Sequence, residues 1–364
     1  MVEFVALASL LGFCTSMPFN SSRAASPPHT PISVIELSGM PRQIGLEHGR
    51  QIGDRIRLLH EKYLKLWFSD QKLYRESLLA ALIFRNQLLP EHREEIAALA
   101  ASAGIDPGEM MLANCFLDMA PTAMCSTITL PAGASPDGVA RFGRNLDFPS
   151  LDIADKYSII LIFRPEHRYA FAAVSWPGLV GALSGMNEHG LCLANMEVPR
   201  QIRMPAAMPY TLLYRSILEQ CRTVDEAVEL LRKTPRQSAN NLMLMDAAGN
   251  RAVAEITPQR VVVRSGLPQS ALMSTNHQRG LDQNRTGRCW RYDRMRKTSA
   301  QQFGKIDLAS MKKILDSVSV RGETMQSMIF EPANRVIFAA AGEDATKHPY
   351  QRIDLAKYFS KAAR

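Results

Sequence analysis

MCSTITLPAGASPDGVARFGRNLDF, residues 124–148, places a cysteine at the head of an apolar, β-branched run, Ser126-Thr127-Ile128-Thr129-Leu130. A turn rich in Gly, Pro, Ser and Asp follows, and a second run ends in Gly143-Arg144-Asn145-Leu146-Asp147-Phe148. Two such runs about a turn predict an antiparallel hairpin. Cys125 then lies at one end of a strand, and Arg144 and Asp147 return beside it from the neighbouring strand. A thiol, a guanidinium and a carboxylate are expected in one small space. The plainer reading of Arg144 and Asp147 is an ion pair that closes the hairpin.

The chain around this stretch has 364 residues, 46 % of them hydrophobic and 21 % charged, the range of an ordinary globular protein with a sizeable core. Its net charge is +8, but Lys and Arg are spread along its whole length. The densest run, Arg288 to Lys297, also holds Trp290, Tyr292 and Asp293, which suits the wet face of a helix. A nucleic-acid binder would show a clustered stripe or a motif, so no nucleic-acid partner is expected. The cysteines are Cys14, Cys115, Cys125, Cys192, Cys221 and Cys289, with no CxxC pair and no His at zinc-ligand spacing. Neither a metal nor a cofactor is expected. Cys115, Cys192 and Cys221 sit in apolar patterns and read as small buried hydrophobes.

Upstream of the hairpin, Phe4 to Phe13 has the length of a signal-peptide core and is too short to span a bilayer. Ser16 to Pro31 has linker composition. Residues 1–33 are therefore read as a signal segment and disordered linker, with export and cytoplasmic residence both left open and no stable membrane span. From Pro41 a helix is predicted with Ile52, Ile56, Leu59, Tyr63 and Leu66 on one buried face. Gly45, Gly49 and Gly53 recur every four residues, each costing a helix about 1 kcal/mol. Their use would be to let another backbone come close. Helices are predicted near 74–87 and 91–103, then another after Asp106-Pro107. Downstream of the hairpin, strands are predicted at Tyr157–Phe163, Tyr169–Val174, Leu191–Met196, Asn241–Met245, Arg251–Ile256 and Val261–Arg264. Two helices fill about 209–233, and helices near 287–301 and 307–318 precede a last hairpin, Met325–Phe330 with Arg335–Ala340. Hairpins with helices inserted in blocks indicate an α+β sandwich.

A free thiol with a pKa of about 8.5 is mostly protonated at neutral pH. None of the eight histidines is an obvious base for Cys125. A base appears if the bond before Cys125 is cut, because the new α-amine titrates at roughly 7.7–8.0 and is held beside its own sulfur. The same side chain could make the cut by attacking the carbonyl of Met124.

Five stretches occur in the order and at roughly the separations seen in fungal isopenicillin N acyltransferase: Gln43-Ile44-Gly45-Leu46-Glu47-His48-Gly49, Cys125-Ser126-Thr127, Asn145-Leu146-Asp147-Phe148, Ser274-Thr275-Asn276-His277 and Arg321-Gly322-Glu323-Thr324. The chain therefore resembles the cysteine branch of the N-terminal nucleophile hydrolases. Gly143 to Phe148 and Gly185 to Leu191 look more like the related bile salt hydrolases and penicillin V acylases. The resemblance implies Cys125 as nucleophile, with Met124 and Cys125 flanking the cleavage site. It implies that Asp147 orients the α-amine or assists self-cleavage, that Asn276 stabilises the oxyanion, and that Arg321 is the arginine near the nucleophile. Arg144 would lower the thiol pKa or bind a substrate carboxylate. Asn195 and Glu197 fall near the place where relatives carry a substrate-contacting polar residue, which makes Asn195 a candidate contact, although the plainer reading of both is structural. Asn240 and Asn241 read as strand-start residues.

The expected architecture is a four-layer αββα sandwich of the N-terminal nucleophile type. Residues 34–124 would form a helical small subunit and 125–364 the catalytic core, folded as one domain and persisting as a heterodimer of the two cleavage fragments. The expected substrate is a small-molecule acyl amide or acyl thioester, turned over through an acyl-cysteine by hydrolysis or transfer. Met186, Met196, Met243 and Met245 are candidates for an adaptable acyl pocket, or plain core. The rival readings are a lipid-amide hydrolase of the acid ceramidase type and a non-catalytic binding protein on the same fold.

Overall fold

A computed structural model describes residues 31–119, 123–198, 207–281 and 288–360. The expected signal segment and most of the linker lie outside them. Pro31–Arg364 forms one compact unit.

The first described strand, β1 (Ser33–Gly39), is followed by α1 (Pro41–Leu59), a π-helical turn (His60–Leu64), α2 (Lys65–Trp67), α3 (Gln71–Arg85), α4 (Pro90–Ala103) and α5 (Pro107–Met119). Then come β2 (Met124–Leu130), β3 (Arg141–Asp147), β4 (Ile159–Pro165), β5 (Phe171–Ser175), β6 (Ser184–Asn187) and β7 (Cys192–Glu197). Helices α6 (Tyr210–Gln220) and α7 (Val224–Lys233) precede β8 (Asn240–Met245), β9 (Arg251–Ile256), β10 (Val261–Ser265) and β11 (Leu272–Ser274). The chain closes with α8 (Trp290–Gln301), α9 (Leu308–Ser317), β12 (Thr324–Glu331), β13 (Val336–Ala341), β14 (Gln351–Asp354) and α10 (Ala356–Phe359).

The strands make two sheets, β1-β4-β5-β6-β7-β8-β9-β10 and β11-β2-β3-β12-β13-β14, antiparallel except for β1 beside β4. They pack face to face, so that Thr127 on β2 reaches the Met196 sulfur on β7 and Thr129 reaches that of Met243 on β8. Helices α6 and α7 cover the first sheet, and α8 and α9 cover the second through Met295, Met311, Ile314 and Leu315. The result is the expected αββα sandwich. Met186, Met196, Met243 and Met245 are fully buried core between its layers.

Local signals account for many of the boundaries. Asp70, Thr223 and Asp307 cap α3, α7 and α9 through their side chains, and Gly104 ends α4 at φ +68°. In the central hairpin Cys125 pairs with Leu146 and Thr127 with Arg144. The strand β1 and the short strands β6, β11 and β14 are additions to the elements predicted from sequence. The predicted buried face of α1 also fails at its end, where Leu66 is 53 % exposed. A non-helical residue at Ile52 and the wide turn at His60–Leu64 shift the phase, so Tyr63 and Leu64 stay inside while Leu66 turns outward.

Two of the three glycines of α1, Gly45 and Gly49, do admit a second backbone. A Cβ on Gly45 would lie 2.2 Å from the Glu95 carbonyl oxygen, and one on Gly49 2.8 Å from the Ala103 nitrogen, both on α4. At Gly53 the nearest atoms are the flexible Arg57 guanidinium at 3.3 Å and Ala103 Cα at 3.7 Å. Gly45→Ala is therefore expected to destabilise the fold by about 1–3 kcal/mol. Gly53→Ala should be neutral or stabilising by up to about 1 kcal/mol. Urea denaturation of the two variants checks the contrast.

Candidate active site

Cys125 is the second residue of β2, 1 % exposed, and lines a cleft. Because side chains alternate along a strand, Arg144 shares the face of Leu146 and Cys125, whereas Asp147 projects to the opposite face with Asn145. The expectation that Arg144 and Asp147 flank the thiol together is thus half met. Arg144 Nη2 lies 3.5 Å from Cys125 Sγ, and its Nη1 donates to the Asn195 carbonyl at 2.5 Å. Asp147 pairs with Arg291 of α8 at 2.9 Å and accepts from the Thr324 hydroxyl at 2.5 Å. It makes no ion pair with Arg144 that would close the hairpin.

Asn276 joins these groups. Its Oδ1 accepts from the Cys125 backbone N–H at 2.9 Å and from Arg291 Nη2 at 2.9 Å. Its Nδ2 donates to the Ala123 carbonyl at 2.9 Å and to the Glu197 carbonyl at 2.6 Å. The Glu197 carboxylate accepts from the Ala123 N–H at 3.1 Å and from the Tyr210 hydroxyl at 2.5 Å. The residue two before Cys125 is therefore held at both its N–H and its C=O. Met124, between them, is 38 % exposed.

Arg321 lies apart from this cluster. It is exposed in the turn between α9 and β12, and among the described residues no hydrogen bond or ion pair joins it to Cys125, Asp147 or Asn276. Arg291 is the arginine beside them. It sits in the basic run that sequence reading assigned to the wet face of a helix, yet Arg291, Met295 and Ser299, four apart, form the buried stripe of α8. That register was the available signal. Glu197, read as structural, lines the cleft with Asn195, whose side-chain oxygen is buried without a hydrogen-bond partner.

Much of the cleft wall comes from the segment ahead of Cys125, with Ile56, Leu59 and Leu64 on one side and Met110, Phe116 and Leu117 on another. Trp176, Leu179 and Phe148 close it from the later part of the chain. The lining is overwhelmingly apolar, and its polar groups at the thiol end are Arg144, Asn195 and Glu197. No helix among the described residues is long and apolar enough to cross a membrane.

Burial pushes the Cys125 thiol up to about 11, with Arg144 and Arg291 pulling it down and Asp147 and Glu197 adding to the rise. Burial likewise lifts Asp147 to about 6 against the opposing Thr324 hydrogen bond and the Arg291 and Arg144 charges.

An αββα sandwich with a cysteine heading a strand of a central sheet is the architecture of the N-terminal nucleophile hydrolases. Residues 134–346, more than half of the chain, match the family described as acyl-coenzyme A:6-aminopenicillanic acid acyl-transferase, and the chain belongs to that family. Two curated relatives from Dictyostelium discoideum, protein dcd1B and protein dcd1A, are 23 % and 24 % identical over 234 and 243 residues. Those alignments cover 57 % and 58 % of this chain but 47 % and 55 % of the relatives, so the chain spans about half the length of the curated relatives it matches. Among solved structures, a conjugated bile acid hydrolase from Clostridium perfringens is 18 % identical with a TM-score of 0.50, covering 64 % of this chain and 93 % of its own. A penicillin V acylase from Agrobacterium tumefaciens is 17 % identical with a TM-score of 0.48, covering 64 % and 87 %. The likeness to the bile acid hydrolase concerns the fold alone.

The raised Asp147 carboxyl has a consequence for stability. Between its ordinary 3.8 and about 6 the folded chain holds this proton more tightly than the unfolded chain does. The stabilisation is complete below the lower value and is lost as pH rises through about 6, by on the order of a few kcal/mol. Asp147→Asn should flatten that part of the curve. Urea midpoints of the two proteins from pH 4 to pH 7 measure the difference, and parallel curves would refute the assignment.

Proposed function

We propose that the chain is a self-cleaving N-terminal-cysteine amidohydrolase or acyltransferase acting on a linear amide or thioester. The observation that supports this reading is the Asn276 bridge, which ties the Cys125 nitrogen to the Ala123 carbonyl, one residue upstream of the scissile Met124 carbonyl. Cys125 Sγ attacks the Met124 carbonyl carbon, the C–N bond breaks as the nitrogen takes up a proton, and water opens the resulting thioester. The freed nitrogen becomes an α-amine still within reach of Asn276 Oδ1, with Arg291 and Arg144 nearby to disfavour its protonated form. It then accepts the Sγ proton as sulfur attacks the carbonyl carbon of the substrate.

The uncleaved chain occupies the groups this chemistry needs. Ala123 holds one donor of Asn276 and one oxygen of Glu197. Once the chain is cut, the end of the upstream fragment can withdraw, and an Asn276 hydrogen becomes available to the developing oxyanion. Such a donor is worth about 3–4 kcal/mol of barrier. The leaving amine takes a proton from the α-ammonium, and the acyl group on sulfur passes to water or to an incoming amine. Asp147 acts at one remove, by fixing Arg291. The role expected of Arg321 is reassigned to Arg291 in this proposal. The apolar cleft favours a second reading within the same chemistry, a lipid-amide hydrolase of the acid ceramidase type, which a panel of N-acyl amino acids, acyl-CoA thioesters and long-chain amides separates.

Denaturing electrophoresis with N-terminal sequencing is expected to give two bands, the larger starting at Cys125, and a single band for Cys125→Ala. A wild-type chain that stays whole and is not acylated by thiol-directed donors would point to a binding protein instead. Turnover of the panel should fall about 10²–10³-fold in Asn276→Ala. Arg291→Ala should lose far more activity than Arg321→Ala, and the reverse order would restore the assignment made from sequence.

A further inference from the structure

Asn276 lies two residues past the end of β11, and four bonds at the thiol depend on where its side chain points. Its two neighbours are gripped from the other sheet. Asn241, fully buried on β8, donates both amide hydrogens, one to the Thr275 carbonyl at 2.8 Å and one to the His277 carbonyl at 2.9 Å. One rigid planar group therefore holds the backbone on either side of Asn276. The Asn241 oxygen has no hydrogen-bond partner, so the contribution of this side chain lies in its two donors.

The partner of Asn241 across the β8–β9 ladder is Glu255, whose side chain shares its face. The fully buried Glu255 carboxylate accepts from the N–H groups of Arg279, Gly280 and Leu281 at 2.9, 2.7 and 2.9 Å, and from Arg264 Nε at 2.7 Å. Glu255 thus anchors the far end of the 275–281 loop and Asn241 its near end. Only the near clamp brackets the residue that touches Cys125.

We infer that Asn241 is a positioning residue that aims the Asn276 amide at the reacting carbonyl. This rests on the role proposed above for Asn276. Without the two donors the Thr275–His277 segment is free to shift by a fraction of an ångström, and a displacement of about 1 Å can lower a rate about a hundredfold. The substrate cleft, whose lining includes neither Asn241 nor the loop, is left intact. The signature is therefore a fall in kcat with KM preserved.

The test uses the full-length chain and two readouts: the first-order rate of self-cleavage after in vitro translation, and steady-state turnover of a fluorogenic long-chain acyl-aminocoumarin amide. Asn241→Ala should slow both by about ten- to a hundredfold with KM within about twofold. Combined with Asn276→Ala it should cost nothing beyond Asn276→Ala alone, since the two residues act as one unit. A kcat within about twofold of wild type, or a double variant that loses the product of the two single effects, overturns the inference while leaving the role of Asn276 standing. Full activity in Asn276→Ala overturns both. Should Asn241→Ala fail to fold, Asn241→Leu, which is close to asparagine in volume and has no donor, is judged by the same criteria.

Discussion

The two hydrogen-bonding ends of one amide hold the site together. Asn276 offers an acceptor to the Cys125 N–H and Arg291, and a donor to the carbonyls of Ala123 and Glu197. Those partners come from β2, α8, the segment before β2 and the end of β7, elements of both sheets and of one covering layer. An amide with all four of these bonds made leaves little choice of orientation, because reversing it would set oxygen against two carbonyls and N–H against two donors. The strand positions of the sandwich are thereby converted into a fixed place for the thiol.

A second constraint keeps the segment ahead of Cys125 on the body of the fold. Gly45 and Gly49 bring α1 against α4, and α4 is tied in turn to α6 by a buried ion cluster. Arg215 makes a two-pronged pair with Glu95 at 2.7 Å and a second pair with Glu219 at 2.8 Å, with its guanidinium 4.7 Å from the Phe163 ring centroid. A buried pair of this kind adds little net stability against an apolar replacement, but removing one partner strands a charge and is costly. It therefore makes the docking of α4 specific. The strand β1, paired along its whole length with β4, adds a sheet edge to the same attachment. A cut before Cys125 would divide the backbone without touching any of these contacts, and α1 and α5 would still wall the cleft.

The sequence made some of this legible and hid the rest for physical reasons. The hairpin from Met124 to Asp147 was visible because β-branched runs about a Gly/Pro turn have few other uses, and so was the close approach at the glycines of α1. The face on which Asp147 lies follows from counting residues along β3, but its partner does not, since Arg291 is 144 positions away and arrives from another layer. Arg321 stood in a matching motif, yet the turn that carries it points to solvent, and a motif does not encode the direction of a side chain. Asn241 looked like any residue at a strand start. Its value depends on a loop in the opposite sheet, which no local pattern reports. The methionines, being simply apolar, gave no means of telling cleft from core.

The electrostatics around the sulfur favour one order of events in the proposed chemistry. Burial opposes charge on either group, so it raises the thiol and lowers an α-amine created at the same residue. Arg144 and Arg291 oppose a positive amine and favour a thiolate. For the nitrogen, burial and the two arginines push the same way, toward a neutral base, against the opposite pull of the Asp147 and Glu197 carboxylates. For the sulfur they push in opposite directions, and burial prevails, leaving the thiol near 11 in the uncleaved chain. A resting pair of thiolate and ammonium is thus disfavoured at its nitrogen end and only partly supported at its sulfur end. The arrangement suits a neutral amine and a neutral thiol at rest, with the proton moving as the carbon–sulfur bond forms. The negative charge then appears on the carbonyl oxygen, where the aimed donor of Asn276 is of most use.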